Sequence, residues 1–540
     1  MSDTTILMIA NGDHRESANR VCWDAQSAFE DKLSKAFAQQ GRELVRAHPY
    51  DPDRNHGFIA SQAEGLQVFA GIDRSAPLVV AEGVWQFSQQ VLGGLLRHEG
   101  PILTVANWEG QWPGLVGLLN LNASLRKAGR RFDTVWSRDF DDDWFLGHLR
   151  TWLDGGGITH DTSHVASFDA GRMDGRDRQV AGDLADALKD GGAIMGVFDE
   201  GCMGMYNAII PDELLFPLGV YKERLSQSAL YAETMRATEE EARASLSWLT
   251  DRGMRFHFGH DEDTELTERQ VLLQLRMYAA AARMADRYGC DIIGIQYQLG
   301  LADVLPASDL AEGLLNNGER PPVTRADGSV IADGSPIVHF NEVDEGAGLD
   351  ALLTHRVHAA LDQPIETTLH DVRWGDDDAS GTVDDFVWVF EISGSAPAAH
   401  HIGGYAGTES LRQPALYFRL GGGSVRGIAH PGEIVWSRVF VEGGRLHMDI
   451  GRATVVELPL EETQRRWDET TPEWPIMHAV LHGVTRDQFM GRHASNHIQV
   501  AYGHDGAGAD RAMAVKAAMA EQLGIDVHLC GARPDGSPLL

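Results

Sequence analysis

Cysteine is scarce in this chain: Cys22, Cys202, Cys290 and Cys530 are the only four in 540 residues. None form a Cys-x-x-Cys pair, which argues against a disulfide framework and a structural zinc site and for a reducing compartment. Long apolar runs are missing too, so no segment is expected to span a membrane. The opening, Met1-Ser2-Asp3-Thr4-Thr5, lacks a basic stretch and an Ala-x-Ala site. No secretory signal is read there, and the expected location is the cytoplasm. Positive charge is outnumbered, with 46 Lys+Arg against 79 Asp+Glu and a net charge of −33. Such a surplus repels polyanions, so neither nucleic acid nor an anionic membrane is an expected partner.

Familiar catalytic signatures are also absent. There is no Walker A sequence and no Gly-x-Ser-x-Gly elbow. The Gly503–Gly508 turn carries part of a dinucleotide fingerprint, but Arg511 stands at the third glycine position, so it is read as a plain strand-to-helix turn. His493 and His497 are four apart, yet Ala494 stands where a zinc protease needs glutamate. The acidic runs Asp141-Asp142-Asp143 and Asp376-Asp377-Asp378 read as solvated loops. No internal repeat or low-complexity tract occurs.

What is present is an ordinary folded chain, 43% apolar and 23% charged. Its length exceeds the roughly 250–300 residues that one core supports, so two or three domains are expected. Strands are expected at Ile6–Ile9, Pro77–Val80 and Ile102–Val105, with helices after Glu16 and over Gly114–Lys127. Alternating strands and helices favour parallel sheets covered on both faces. A loop-rich stretch, Asp154–Arg178, leads to a second region. There, strands are expected at Ala193–Phe198, Arg255–Phe258 and Asp291–Gln298, and a long helix over Thr267–Tyr288 closed by Gly289. Beyond about Ala360 β-formers dominate. Glu366–Val372, Asp385–Ile392 and Glu433–Ile450 read as strands, with a hairpin turn at Glu442-Gly443-Gly444-Arg445. A strand at His497–Tyr502 and a helix at Ala509–Leu523 end the chain.

Three segments suggest chemistry. Phe340-Asn341-Glu342-Val343-Asp344-Glu345-Gly346 delivers an acidic cluster into a turn, His370-Asp371-Val372-Arg373 ends a β-prone run with an acid, and Ser495-Asn496-His497-Ile498 carries a histidine into a strand. Two carboxylates and an imidazole suit a hard or borderline divalent cation, Mn²⁺, Mg²⁺ or Co²⁺, with positions left open for substrate oxygens. Spacing alone does not separate this from solvated acids and a structural histidine.

At these segments the chain resembles the L-fucose isomerase family, and the similarity runs over nearly its whole length. Further matching pieces keep their order: His14-Arg15-Glu16-Ser17, Pro113-Gly114, Gly294–Gln298, Asn317–Pro322, Ser393–Ala396, Tyr417-Phe418-Arg419, Glu473-Trp474-Pro475 and Gly503–Gly506. The resemblance implies an α/β architecture, two Rossmann-like αβ domains (residues 1–170 and 171–355) followed by a β-rich C-terminal domain (356–540). It implies Glu342, Asp371 and His497 as metal ligands, and Glu342 and Asp371 as the catalytic carboxylates, either of which can be the base. It implies Arg15, Trp85, Gln296, Gln298, Tyr417, Trp474 and Asn496 around a sugar, and a trimeric or hexameric homo-oligomer whose active site lies between subunits, with Trp85 donated by a neighbour. The chain departs from the family at His493, which replaces an aromatic residue and is expected to face the sugar. It departs also at the apolar Leu299-Gly300-Leu301, and in being somewhat shorter.

The expected activity is therefore metal-dependent aldose–ketose isomerisation through an enediolate. The alternatives are another metal-dependent sugar or sugar-acid transformation, such as epimerisation or dehydration, and a non-catalytic sugar-binding protein. No residue names the sugar.

Overall fold

Short apolar runs without alternation suit strands buried on both faces, and the first region folds accordingly. In the computed structural model, which describes residues 5–533 and 535–540, five strands form one parallel sheet. They are β1 (Thr5–Ile9), β2 (Glu43–Arg46), β3 (Leu78–Glu82), β4 (Ile102–Asn107) and β5 (Asp133–Ser137), in the order β2-β1-β3-β4-β5. β3 is buried along its whole length. This doubly wound order differs from the 3-2-1-4-5-6 order of dinucleotide-binding folds, and it places the switch point between β1 and β3. Met1–Thr4, on which the signal reading began, lie outside the described residues. Cys22, Cys290 and Cys530 are free. Among the described residues no helix is long and apolar enough to cross a membrane.

After β6 (Val165–Ser167) comes a second parallel sheet. It is built from β7 (Ala193–Phe198), β8 (Val220–Leu225), and, beyond the short β9 (Arg255–Phe256), β10 (Ile292–Ile295) and β11 (Val338–His339). The order is β8-β7-β10-β11, so this sheet also reverses direction, between β7 and β10. β10 is shorter than the apolar pattern suggests, because past Ile295 the chain turns and Gln298 N donates back to Gln296 Oε1 at 2.9 Å. The long helix Glu268–Tyr288 starts in a capping box. Gln270 N donates to Thr267 Oγ1 and Thr267 N to Gln270 Oε1. Gly289, at φ +63°, ends it.

The third region is a barrel. Its strands are β12 (Thr367–Asp377), β13 (Phe386–Glu391), the short β14 (Glu409–Ser410), β15 (Gly432–Glu442), β16 (Arg445–Val455), β17 (Met477–Leu481), β18 (His497–Tyr502) and β19 (Asp526–Cys530). The ring β15-β18-β12-β13-β17-β16 is antiparallel throughout and closes through the β15–β16 hairpin, where Glu442 pairs with Arg445. Gly443 and Gly444 have φ of +57° and +76°, as a two-residue hairpin turn of the primed type needs. β19 extends the sheet beside β16, and β6, from the first third of the chain, pairs with β19. β9 pairs with β14. The helix Glu345–Ala360 packs against β15 and β18. It is tied to the helix Gly506–Gln522 by a buried ion pair, Asp350 with Lys516.

Candidate active site

Loops that follow the strands of an open parallel sheet gather ligand-binding groups at the switch point. Here two switch points face the barrel. Arg15 follows β1, Trp85 follows β3 and Pro113 follows β4. Met203 follows β7, Gln298 follows β10 and Glu342 follows β11. Asp371 and Arg373 lie on β12, and Ser393 follows β13. With Tyr417, Phe418 and Trp474 they line one cavity holding about 430 Å³ of space free of protein atoms. Trp85 and Glu342 thus meet within a single chain. The resemblance implies a Trp85 supplied by a neighbouring subunit; within one chain the first sheet already folds back over the barrel, which sequence distance did not hint at.

Arg373 holds that closure. Its Nε donates to Gly110 O at 2.7 Å and its Nη2 to Gln111 O at 2.9 Å, fastening the β4 loop to β12. Trp108 Nε1 adds a bond to Gly375 O at 2.9 Å. A Cβ at Gly110 would come within 2.6 Å of Glu469 O, so only glycine permits this approach. Arg15 is fixed by Asp13 at 2.6 Å and donates to Tyr417 O at 3.1 Å.

The antiparallel register of β12 and β18 sets Asp371 directly opposite His497. Cross-strand neighbours stand about 5 Å apart at Cβ, and His497 Nε2 lies 3.4 Å from Asp371 Oδ1. Glu342 enters from the turn after β11, its Oε2 3.6 Å from the same nitrogen. The opposite face of the imidazole is held: Nδ1 donates to Asp344 Oδ2 at 2.7 Å. Asp344 also takes a two-pronged bond from buried Arg438, at 2.6 and 2.9 Å, and caps the helix Glu345–Ala360 by accepting from Ala347 N. One carboxylate therefore sets the ring orientation, the helix start and the arginine.

Charge in this buried cluster is strongly perturbed. Burial, aided by the neighbouring Asp371 and Glu312, pushes the Glu342 carboxyl up to about 8. Burial opposes charge on His497, but its bond to Asp344 and the charges of Asp371 and Asp344 carry it up to about 10. Burial acts against Asp344 as well, yet Arg438 and His497 hold its carboxyl well below the usual range. Burial raises Glu391 to about 8, against the opposing pull of the neighbouring Arg373.

Of the other residues anticipated from sequence, Gln298 lines the cavity and its Nε2 is 3.5 Å from Glu342 Oε1. Tyr417 and Trp474 line it too, Trp474 anchored by Nε1 donating to Gln413 Oε1 at 2.6 Å. Asn496 backs Asp371, at 3.5 Å. Gln296 is buried and supports Gln298 rather than lining the cavity. His493 does not face it either. Its ring stacks on Phe489 and Nε2 donates to His497 O at 2.9 Å, because the short helix Arg486–Arg492 turns residue 493 inward. Sequence reasoning assigned no role to Arg373, Ser393, Met203, Asp344 or Arg438. For Arg373, Ser393 and Asp344 the signal was at hand, since each lies in a segment already quoted. Met203 and Arg438 carried none.

Among the described residues no group of three or more His, Cys, Asp or Glu side chains already stands as a metal site. The donor set of Glu342, Asp371 and His497 nevertheless suits one in kind. His497 Nε2 is buried without a hydrogen-bond partner, and its 3.4 and 3.6 Å separations from two carboxylate oxygens are near the roughly 3 Å between donors sharing a small divalent ion. None of the curated proteins matches the chain. Residues 405–530 match the family model described as L-fucose isomerase, C-terminal domain; the matched span holds Tyr417, Trp474, Asn496 and His497, so this last part of the chain is similar to the C-terminal domain of L-fucose isomerases.

Proposed function

We propose that the protein is a divalent-metal-dependent aldose–ketose isomerase. The observation that carries this is the convergence of the unpartnered His497 Nε2 on Glu342 and Asp371, two carboxylates that line a cavity whose remaining wall is largely aromatic and apolar. The family match supports an isomerase.

Isomerisation moves one proton between C2 and C1 and another between O1 and O2 of the sugar. Glu342, Asp371 and His497 would hold the ion, Mn²⁺, Mg²⁺ or Co²⁺. When bound, it supplies Lewis-acid polarisation of the carbonyl and offsets the negative charge of the enediolate. The protein groups do the rest. Glu342 and Asp371 both line the cavity, where a carboxylate beside the bound sugar would take the carbon-bound proton and return it to the neighbouring carbon. Gln298 and Ser393 offer hydrogen bonds to substrate hydroxyls. Trp85, Met203, Phe418 and Trp474 exclude water, which strengthens each charge interaction inside. A homo-oligomer remains part of this proposal, although Trp85 does not require one.

The test is a panel of aldoses incubated with Mn²⁺ and read for ketose. One or more aldoses are expected to convert, and chelator is expected to stop the conversion. Sugar binding without conversion would replace the isomerase by a binding protein.

A further inference from the structure

Glu342 is presented by backbone that L-residues rarely adopt. Glu342 has φ +59° and Val343 φ +54°. Two successive left-handed residues carry a steric cost at each Cβ, and a β-branched valine there is a genuine outlier. Such a turn persists only where its surroundings over-determine it, and outliers of this kind cluster at functional sites.

The surroundings do so from both sides. Downstream, Asp344 is locked by Arg438 and the helix cap. Upstream, Phe340 N donates to Ile293 O at 2.9 Å, and its ring lies so close to Gly294 and Gly348 that a Cβ on either would meet it within 3 Å. Between them stands Asn341, fully buried. Its Nδ2 donates to Glu312 Oε2 and to Ser395 Oγ, the latter at 2.6 Å. Glu312, on the helix Asp309–Leu315, is itself bonded by Ser308 Oγ. Ser395 sits in the loop after β13, beside Gly394 at φ +84°. Asn341 is thus gripped by two separate segments, the helix Asp309–Leu315 and the loop after β13.

The geometry points to Asn341, clamped by Glu312 and Ser395, as the positioning residue that holds the left-handed Glu342–Val343 turn and so aims the Glu342 carboxylate at the cavity. This rests on the metal-site reading above. Releasing the Asn341 side chain lets the turn relax toward ordinary φ, and the carboxylate moves away from Asp371 and His497. Metal affinity falls even where the fold survives.

The test titrates Mn²⁺ into purified, metal-free protein by calorimetry and follows apo-protein melting separately. Asn341→Ala is expected to weaken Mn²⁺ binding about 10–100-fold, the usual loss when a supporting partner of a ligand is removed. Ser395→Ala, which removes one of two acceptors and only a single buried hydroxyl, is expected to weaken it by a smaller factor. Asn122→Ala breaks comparable buried bonds to Thr104 and Thr134 in the first sheet. It is expected to lower melting while leaving Mn²⁺ affinity unchanged. Wild-type affinity in Ser395→Ala and in any folded Asn341→Ala protein overturns the positioning role alone. A wild-type protein that binds no Mn²⁺ overturns the metal site and the positioning role with it.

Discussion

Asp344 Oδ2 accepts from His497 Nδ1 at 2.7 Å and from Arg438 Nη1 at 2.6 Å, so the ring that presents Nε2 to Glu342 and Asp371 is oriented by a carboxylate that a buried arginine orients in turn. Partners of this kind fix the tautomer of a ligating histidine and raise its basicity. Asp344→Asn is expected to weaken Mn²⁺ binding about 10–100-fold. It also leaves Arg438 as an uncompensated buried charge, so unfolding free energy should fall by about 3–5 kcal/mol. Calorimetric Mn²⁺ titration and urea unfolding measure the two effects separately. Unaltered Mn²⁺ affinity in a folded Asp344→Asn protein would remove Asp344 from this role.

Trp85 shares its cavity with Glu342 of the same chain. Mixing Trp85→Ala and His497→Ala proteins under conditions of subunit exchange should therefore restore no activity beyond the sum of the two. Every site would still lack one of the residues. Recovered activity would mean that Trp85 works across an interface.

His493 stacks on Phe489 and donates to His497 O. His493→Phe should leave the preference among sugars unchanged and cost about 1 kcal/mol for the lost hydrogen bond. Competition between aldoses and urea unfolding test this. A changed preference would return His493 to the sugar.

His478 is buried with neither ring nitrogen hydrogen-bonded. Burial, with Arg466 nearby, lowers it to about 3, and burial lowers His48 and His401 to about 3 as well. A histidine whose folded pKa is depressed contributes stability that is present above its unfolded value, about 6.5, and lost as pH falls toward 3. In that window each such ring withdraws about 1.4 kcal/mol per pH unit. His478→Leu should remove one share. Its stability relative to wild type, by urea unfolding at pH 7.5, 6.0 and 5.0, should rise as pH falls. A difference independent of pH would show that His478 protonates within the folded protein.

Local pattern made much of the fold legible. The helix Gly114–Lys127, the strand His497–Tyr502 and the Gly443-Gly444 hairpin could be read because apolar spacing and turn chemistry act over a few residues. Closure of the barrel and the β6–β19 pairing could not, since they join segments far apart in sequence. The site divides the same way. Glu342, Asp371 and His497 were named through ordered motifs, and the register of β12 against β18 brings two of them face to face. The Arg438–Asp344 bond spans 94 residues, and nothing in valine's chemistry announces a positive φ at Val343. The packing of His493 on Phe489, after the short helix Arg486–Arg492, could not be read from its motif position.

Proton NMR of aldoses incubated in D₂O with the Mn²⁺-loaded protein decides whether the trio performs enediolate chemistry. The expected result is ketose carrying deuterium at C1, abolished by chelator and by Glu342→Gln. Failure of every aldose to convert, or conversion undiminished when the metal is stripped or when Glu342 is replaced, would contradict it.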